Sequence, residues 1–111
     1  MKPYPPTMRE KRRYIVLKAE AESLTVKFTK EEIERALKTA AFEWLGILGV
    51  VETGFWVISA DEREQEAVVR CNHESIDRVQ AVMCLIDRVN NKKARFHTLN
   101  VTGTIKKANS S

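Results

Sequence analysis

Two hydrophobic periods organise the chain. From about Arg12 to Ala19 the alternating rows Tyr14, Val16 and Ile15, Leu17 are both apolar, which predicts a strand buried on two faces. After a connector over 20–26, Thr29 with Glu32 three residues later forms a capping-box signature, and Phe28 is placed to staple onto Ile33. The helix that follows presents Ile33, Leu37, Ala40, Ala41 and Trp44 on one face, with Trp44 expected as a core anchor and Gly46 as the stop. Gly46-Ile47-Leu48-Gly49 then reads as a flexible turn. A second strand is expected within Val50 to Ala60, bent at Gly54, and the acidic stretch Asp61 to Glu66 reads as a hairpin loop before a third strand, Ala67 to Cys71. A second helix is expected after Asn72 as N-cap, with Ile76, Val79, Met83 and Ile86 on one stripe and Val82, Leu85 and Val89 beside it. Asn90-Asn91 should break it, and a fourth strand spans about Ala94 to Thr102.

The order β-α-β-β-α-β predicts an α+β fold of the ferredoxin-like or RRM-like kind. Right-handed crossovers give a four-stranded antiparallel sheet in the order 4-1-3-2, with two main helices on one face. The other face then needs a cover, because strand one is apolar in both rows and strand two sets Phe55 and Val57 opposite Trp56 and Ile58. Tyr14, Val16, Phe55 and Val57, joined by Val82 and Leu85 from the second helix, are therefore the candidate protein-partner surface. An isolated chain of this kind is expected to dissolve poorly or self-associate.

A length of 111 residues suits one domain, with an extended Pro-rich arm at 1–10 and a short polar tail at 108–111. There is no apolar run of membrane length and no signal-peptide pattern, so a cytoplasmic location is expected, with Cys71 and Cys84 as small buried thiols. Net charge is only +4, but it is unevenly spread: residues 1–18 carry six Lys/Arg and one acid, residues 88–111 six and none, and residues 19–87 seven against fourteen acids. In the expected topology the start of strand one lies beside the ends of strands three and four. Arg12, Arg13, Arg70, Lys106 and Lys107 then meet at one end of the sheet, flanked by Arg9, Lys11 and Thr104, where the start of the second helix also favours anions. Such a corner suits RNA phosphates. Arg70 has a second candidate role, an ion pair with Asp77 or Glu74.

Catalytic chemistry is not evident. Cys71-x-His73, Cys84 and His97 match no common zinc spacing, Glu62, Glu64 and Glu66 read as solvated loop charge, and no nucleophile triad or phosphate-cradling glycine loop is present. No catalytic residue, metal ligand or cofactor site is assigned to the chain. An ordinary RRM would stack bases on aromatics of strands one and three, and strand three has none.

The segments Pro5-Pro6-Thr7-Met8-Arg9, Lys11-Arg12-Arg13-Tyr14-Ile15, Gly46-x-x-Gly49, Arg70-Cys71 and Val101-Thr102-Gly103-Thr104-Ile105-Lys106-Lys107-Ala108 resemble ribonuclease P protein component 2 of archaea. The resemblance implies an RRM-like subunit of the ribonucleoprotein that cuts the 5′ leader from precursor tRNA, with the RNA subunit and its Mg²⁺ performing the cleavage. It further implies a heterotetramer with ribonuclease P protein component 3 that supports the catalytic domain of the RNA. From the residues alone, a ferredoxin-like protein-interaction or small-ligand module with incidental basic ends stays open.

Overall fold

The computed structural model describes residues 11–103, so the expected arm at 1–10 and tail at 108–111 lie outside the described residues. Arg12–Ala21 form β1. Ile15, Leu17 and Ala19 point into the main core, while Val16 and Tyr14 join a small second cluster with Val68 and Ile58, as apolar residues in both rows require. On one side β1 pairs antiparallel with β3 (Glu66–Asn72), from Arg12 opposite Asn72 to Lys18 opposite Glu66. On its other side it pairs antiparallel with β5 (Lys92–Thr102), from Tyr14 opposite Thr102 to Ala21 opposite Ala94. Outside these lie β2 (Trp56–Asp61), paired with β3, and β4 (Arg88–Val89), paired with β5.

Among the described residues the sheet therefore has five strands, not the expected four, and its order β2-β3-β1-β5-β4 departs from 4-1-3-2 by an added edge strand. Asn90 and Asn91, at φ 51° and 66°, explain the addition. Two successive residues with positive φ make the hairpin turn whose twist matches paired strands, and asparagine tolerates that conformation. They reverse the chain instead of breaking a helix, and Val89 is the buried residue of β4, not part of a helical stripe.

The first helix, α1 (Lys30–Thr53), starts as expected: the Glu32 amide donates to Thr29 Oγ1 at 3.2 Å, and the Thr29 amide donates to Glu32 Oε1 at 2.8 Å. Asn90 of the β4–β5 turn also donates to the Glu32 carboxylate, which ties the two segments together. Ile33, Leu37, Ala40 and Ala41 are buried as the periodicity predicts, each large aliphatic side chain stabilising by about 1.5–3 kcal/mol. Trp44 is not a core anchor, being 56% exposed. Nor does Gly46 end the helix. With φ 73° and ψ 174° it occupies a region open essentially to glycine and only kinks the chain, and helical backbone resumes as far as Thr53. Of the expected strand within Val50 to Ala60, the part before Gly54 is thus helix, stopped at Gly54 with left-handed φ 68°, where an added Cβ would lie 2.5 Å from Asn72 Oδ1, and the strand itself starts at Trp56.

Asn72 does not cap the second helix with its side chain; its Nδ2 donates to the Glu52 carbonyl at 2.8 Å and ties the end of β3 to the end of α1. A 3₁₀ turn (His73–Ser75) precedes α2 (Ile76–Cys84), which ends before Leu85 and buries Val79, Val82 and Met83. Both helices share the Ile15–Leu17 face of the sheet in one core. At the opposite end, Gln65 accepts from the Phe28 amide and donates to the Phe28 carbonyl, both at 2.8 Å, which fixes the entry into α1.

Two measurements check this account. Gly46→Ala forces an alanine into the glycine-only region and should cost roughly 1–3 kcal/mol in urea melts. The Glu32 carboxyl is held below its ordinary value, chiefly by the Thr29 backbone amide. A lowered folded pKa stabilises above the unfolded value of 4.5 and is lost as pH falls through the folded one, so the Tm gap between wild type and Glu32→Ala should narrow below that pH.

Candidate nucleic-acid interface

The strand register builds the basic end residue by residue. Arg12 stands opposite Asn72, Arg13 opposite Cys71, and Tyr14 opposite both Arg70 and Thr102, so Lys11, Arg12, Arg13 and Arg70 share the end of the sheet where β5 finishes. Arg13 lies alongside that exit, since a Cβ on Gly103 would be 3.8 Å from its Nη1, and the same atom donates to the Arg12 carbonyl at 2.9 Å. The His73 amide donates to the Lys11 carbonyl at 2.7 Å and holds the segment before β1 against the 3₁₀ turn. Among the described residues no carboxylate pairs with Lys11, Arg12, Arg13 or Arg70. Arg9, Thr104, Lys106 and Lys107 lie outside the described residues.

Helix α2 adds less positive field than expected. Its approach is a 3₁₀ turn, Glu74 and Asp77 stand at its start, and Glu74 lies 3.8 Å from His73 Nε2. The expected pairing of Arg70 with Asp77 or Glu74 is not formed either, because Arg70 alternates with the core residues Val69 and Cys71 and belongs to the face away from the helices.

On that open face, Trp56 of β2, Arg70 of β3 and Tyr14 of β1 stand in one cross-strand row. Trp56 is 61% exposed, and Arg70 Nε is buried without a hydrogen-bond partner among the described residues. The small apolar cluster of Val16, Val68 and Ile58 comes next along the strands. Beyond it the face is polar: Lys18, opposite Glu66, donates through Nζ to the Glu64 carbonyl at 2.5 Å, and His97 Nε2 lies 2.8 Å from Glu20 Oε2.

The expected partner surface does not hold together. Phe55, Val57 and Val82 are buried in the main core, Val16 is covered by its neighbours, Tyr14 is half-buried, and Leu85 is exposed past the end of α2. Besides scattered exposed residues such as Leu24 and Leu99, an apolar patch lies on α1 past its kink, where Ile47, Leu48 and Val51 are 73%, 76% and 72% exposed. An amphipathic reading of 47–53 as helix, with Gly54 as its cap, is the signal that could have found it.

Reactive side chains are dispersed. Burial pushes the Cys71 thiol up to about 11, and Cys84 is exposed, which corrects the expectation of two buried thiols. Glu62 accepts from the Lys30 amide at 3.0 Å, and no cluster of three metal-ligating groups occurs among the described residues. A groove of about 450 Å³ between α1 and the β4–β5 hairpin mixes both charge signs, with Glu32, Arg35, Glu43, Asp87 and Arg88 along it. Among the described residues, no helix is long and apolar enough to cross a membrane.

A model of the Rpp14/Pop5 family matches residues 13–111. The chain belongs to the Rpp14/Pop5 family. Its similar proteins include ribonuclease P protein component 2 of Thermococcus gammatolerans, 37% identical over 93% of this chain and 83% of that one. The same-named protein of Pyrococcus furiosus is 37% identical over 96% of this chain and 86% of its own length, and that of Methanocaldococcus jannaschii 31% identical over 97% and 77%. A chain in the cryo-EM structure of yeast ribonuclease MRP superposes with a TM-score of 0.67 at 13% identity, covering 87% of this chain and 77% of that one, and so shares the fold. The resemblance carried by the motifs of the sequence is thereby shown at the level of the family. Within this Rpp14/Pop5 chain the two thiols should differ sharply: a thiol-reactive reagent at neutral pH should label Cys84 quickly, and Cys71 only after denaturation.

Proposed function

We propose that the chain is a protein subunit of ribonuclease P, supporting the RNA subunit in removal of the 5′ leader from precursor tRNA. The observation that carries this reading is the similarity to archaeal ribonuclease P protein component 2, at up to 37% identity over most of both chains. The basic end agrees with it. Lys11, Arg12, Arg13 and Arg70, joined by Arg9, Thr104, Lys106 and Lys107, hold RNA phosphates, and such contacts position the RNA without reading its bases. The RNA subunit and its Mg²⁺ carry out the cleavage, and this chain contributes no catalytic group and binds no cofactor. Its protein partner is ribonuclease P protein component 3, in a heterotetramer, and the exposed turns with Ile47, Leu48 and Val51 are the surface that partner covers. The compartment is the cytoplasm.

Reconstituted cleavage of precursor tRNA by the RNA subunit tests the reading. Omitting the chain should lower the rate or raise the Mg²⁺ requirement, and an unchanged reaction would refute the assignment. Arg12→Ala and Arg13→Ala should each lower the slope of log affinity against log salt by about 0.7–0.9. The control set Lys27→Ala, Lys30→Ala and Lys38→Ala should leave it in place, since α1 begins at the other end of the sheet. Leu48→Asp should abolish co-purification with component 3 while leaving the melting curve near that of the wild type.

A further inference from the structure

We infer that the open sheet face beside the basic end is a stacking site for unpaired RNA bases, with Trp56 and Tyr14 as platforms and the Arg70 guanidinium between them. This deepens the RNA-binding reading proposed above and rests on it. Phosphate contacts account for Lys11, Arg12 and Arg13, but they give no reason for an indole to project from the sheet edge in register with an arginine and a tyrosine.

Arg70 is the direct cross-strand partner of Trp56 on one side and of Tyr14 on the other. Neighbouring strands lie about 4.8 Å apart, so the backbone positions of Trp56 and Tyr14 flank that of Arg70 within a row roughly 10 Å across. That span suits flat groups laid along the row, and an arginine plane stacks on bases much as aromatic rings do.

A guanidinium whose Nε is buried without a hydrogen-bond partner costs free energy that an ion pair would offset, and no carboxylate pairs with Arg70 among the described residues. Its cross-strand neighbours are aromatic instead of acidic, which leaves the cationic plane for a ligand.

The distribution of charge selects the ligand. The acids of this face, Glu20, Asp61 and Glu66, lie along its far half together with Lys18 and Arg95, whereas the aromatic row adjoins Arg12, which no carboxylate pairs among the described residues. A polyanion is thus drawn to the end where the rings stand. Duplex RNA is recognised by shape and backbone contacts, and an exposed indole adds little there; unpaired bases are the RNA groups that stack on aromatics.

The chain has two tryptophans, so Trp44→Phe leaves Trp56 as the sole indole reporter, and Trp44 belongs to neither the row nor the basic end. The full-length variant is titrated at low salt with a short oligouridylate and with a blunt RNA duplex of equal length. Oligouridylate should quench the Trp56 emission and the duplex should not. By a binding readout independent of fluorescence, Trp56→Ala should weaken oligouridylate roughly tenfold or more at unchanged salt slope and leave the duplex alone. Trp56→Phe should retain most of the affinity, Arg70→Lys should weaken oligouridylate though the charge is kept, and Arg13→Ala should weaken both RNAs. Equal losses on both RNAs from Trp56→Ala, or no loss on oligouridylate, overturn the inference. Emission that ignores RNA but shifts blue as protein concentration rises marks a protein-binding face and overturns it too. Precursor-tRNA cleavage separates the two readings: stimulation of cleavage without stacking refutes only this inference, and stacking without stimulation refutes only the subunit assignment.

Discussion

β1 is hydrogen-bonded along both edges and apolar on both faces, and the placement of the candidate surfaces follows from that. Backbone groups of a buried strand need partners on each side, and antiparallel pairing with β3 and β5 supplies them. Because the pairing is antiparallel on both sides, the entrance of β1 must meet the exits of its neighbours. Lys11, Arg12 and Arg13 are therefore set against Arg70 and Thr102 by the same hydrogen bonds that hold the core together. A cation on a free loop would lose conformational entropy on binding RNA, whereas the backbone carrying these is ordered once the sheet forms.

A second constraint acts at the same end. The bond from Asn72 to the Glu52 carbonyl, with Gly54 fitted closely against Asn72, fixes where α1 finishes relative to β3. Asn72 is also the register partner of Arg12, so the kinked turns carrying Ile47, Leu48 and Val51 stand near the basic end and not across the molecule from it. Under the ribonuclease P reading this sets the protein-covered and RNA-covered surfaces side by side, and an interface with one can order the other.

Much of this was legible in the sequence where a local signal and the tertiary outcome coincide. The Thr29–Glu32 capping box and the stripe Ile33, Leu37, Ala40, Ala41 formed as written, and the arrangement of β2, β3, β1 and β5 follows from handedness and segment order. The misses share one cause, a local pattern with two physical readings. Gly46-Ile47-Leu48-Gly49 carries two glycines and passes for a turn, and the β-branched pair Val50-Val51 passes for the start of a strand, yet the segment is helix as far as the Gly54 cap, with Gly49 set close to Arg78 of α2. Asn90-Asn91 signals a hairpin as well as a helix stop, and the two-residue β4 is too short to show a period. In β2 both alternating rows are apolar, so nothing local says whether Trp56 or Val57 faces the helices. The register shift between Val57 and Ser59 then disturbs the alternation further.

Under the ribonuclease P reading, the same parity error bears on how the chain would meet RNA. With Val57 assigned to the open face, Trp56 becomes core, β3 carries no aromatic, and a base-stacking surface looks excluded. With the observed parity, the indole, the guanidinium of Arg70 and the ring of Tyr14 fall on one row. Aromatic platforms need not sit on the two central strands, because an edge strand one place over presents a ring to the same row. What such a row adds differs in kind from what the basic end adds. Phosphate contacts weaken steeply with salt and are blind to base pairing, whereas stacking is nearly indifferent to salt and requires the bases to be free. A protein holding both surfaces within one strand end can attach to folded RNA through the first and favour an unpaired segment through the second. Under that reading the two surfaces together act on RNA structure through contact alone.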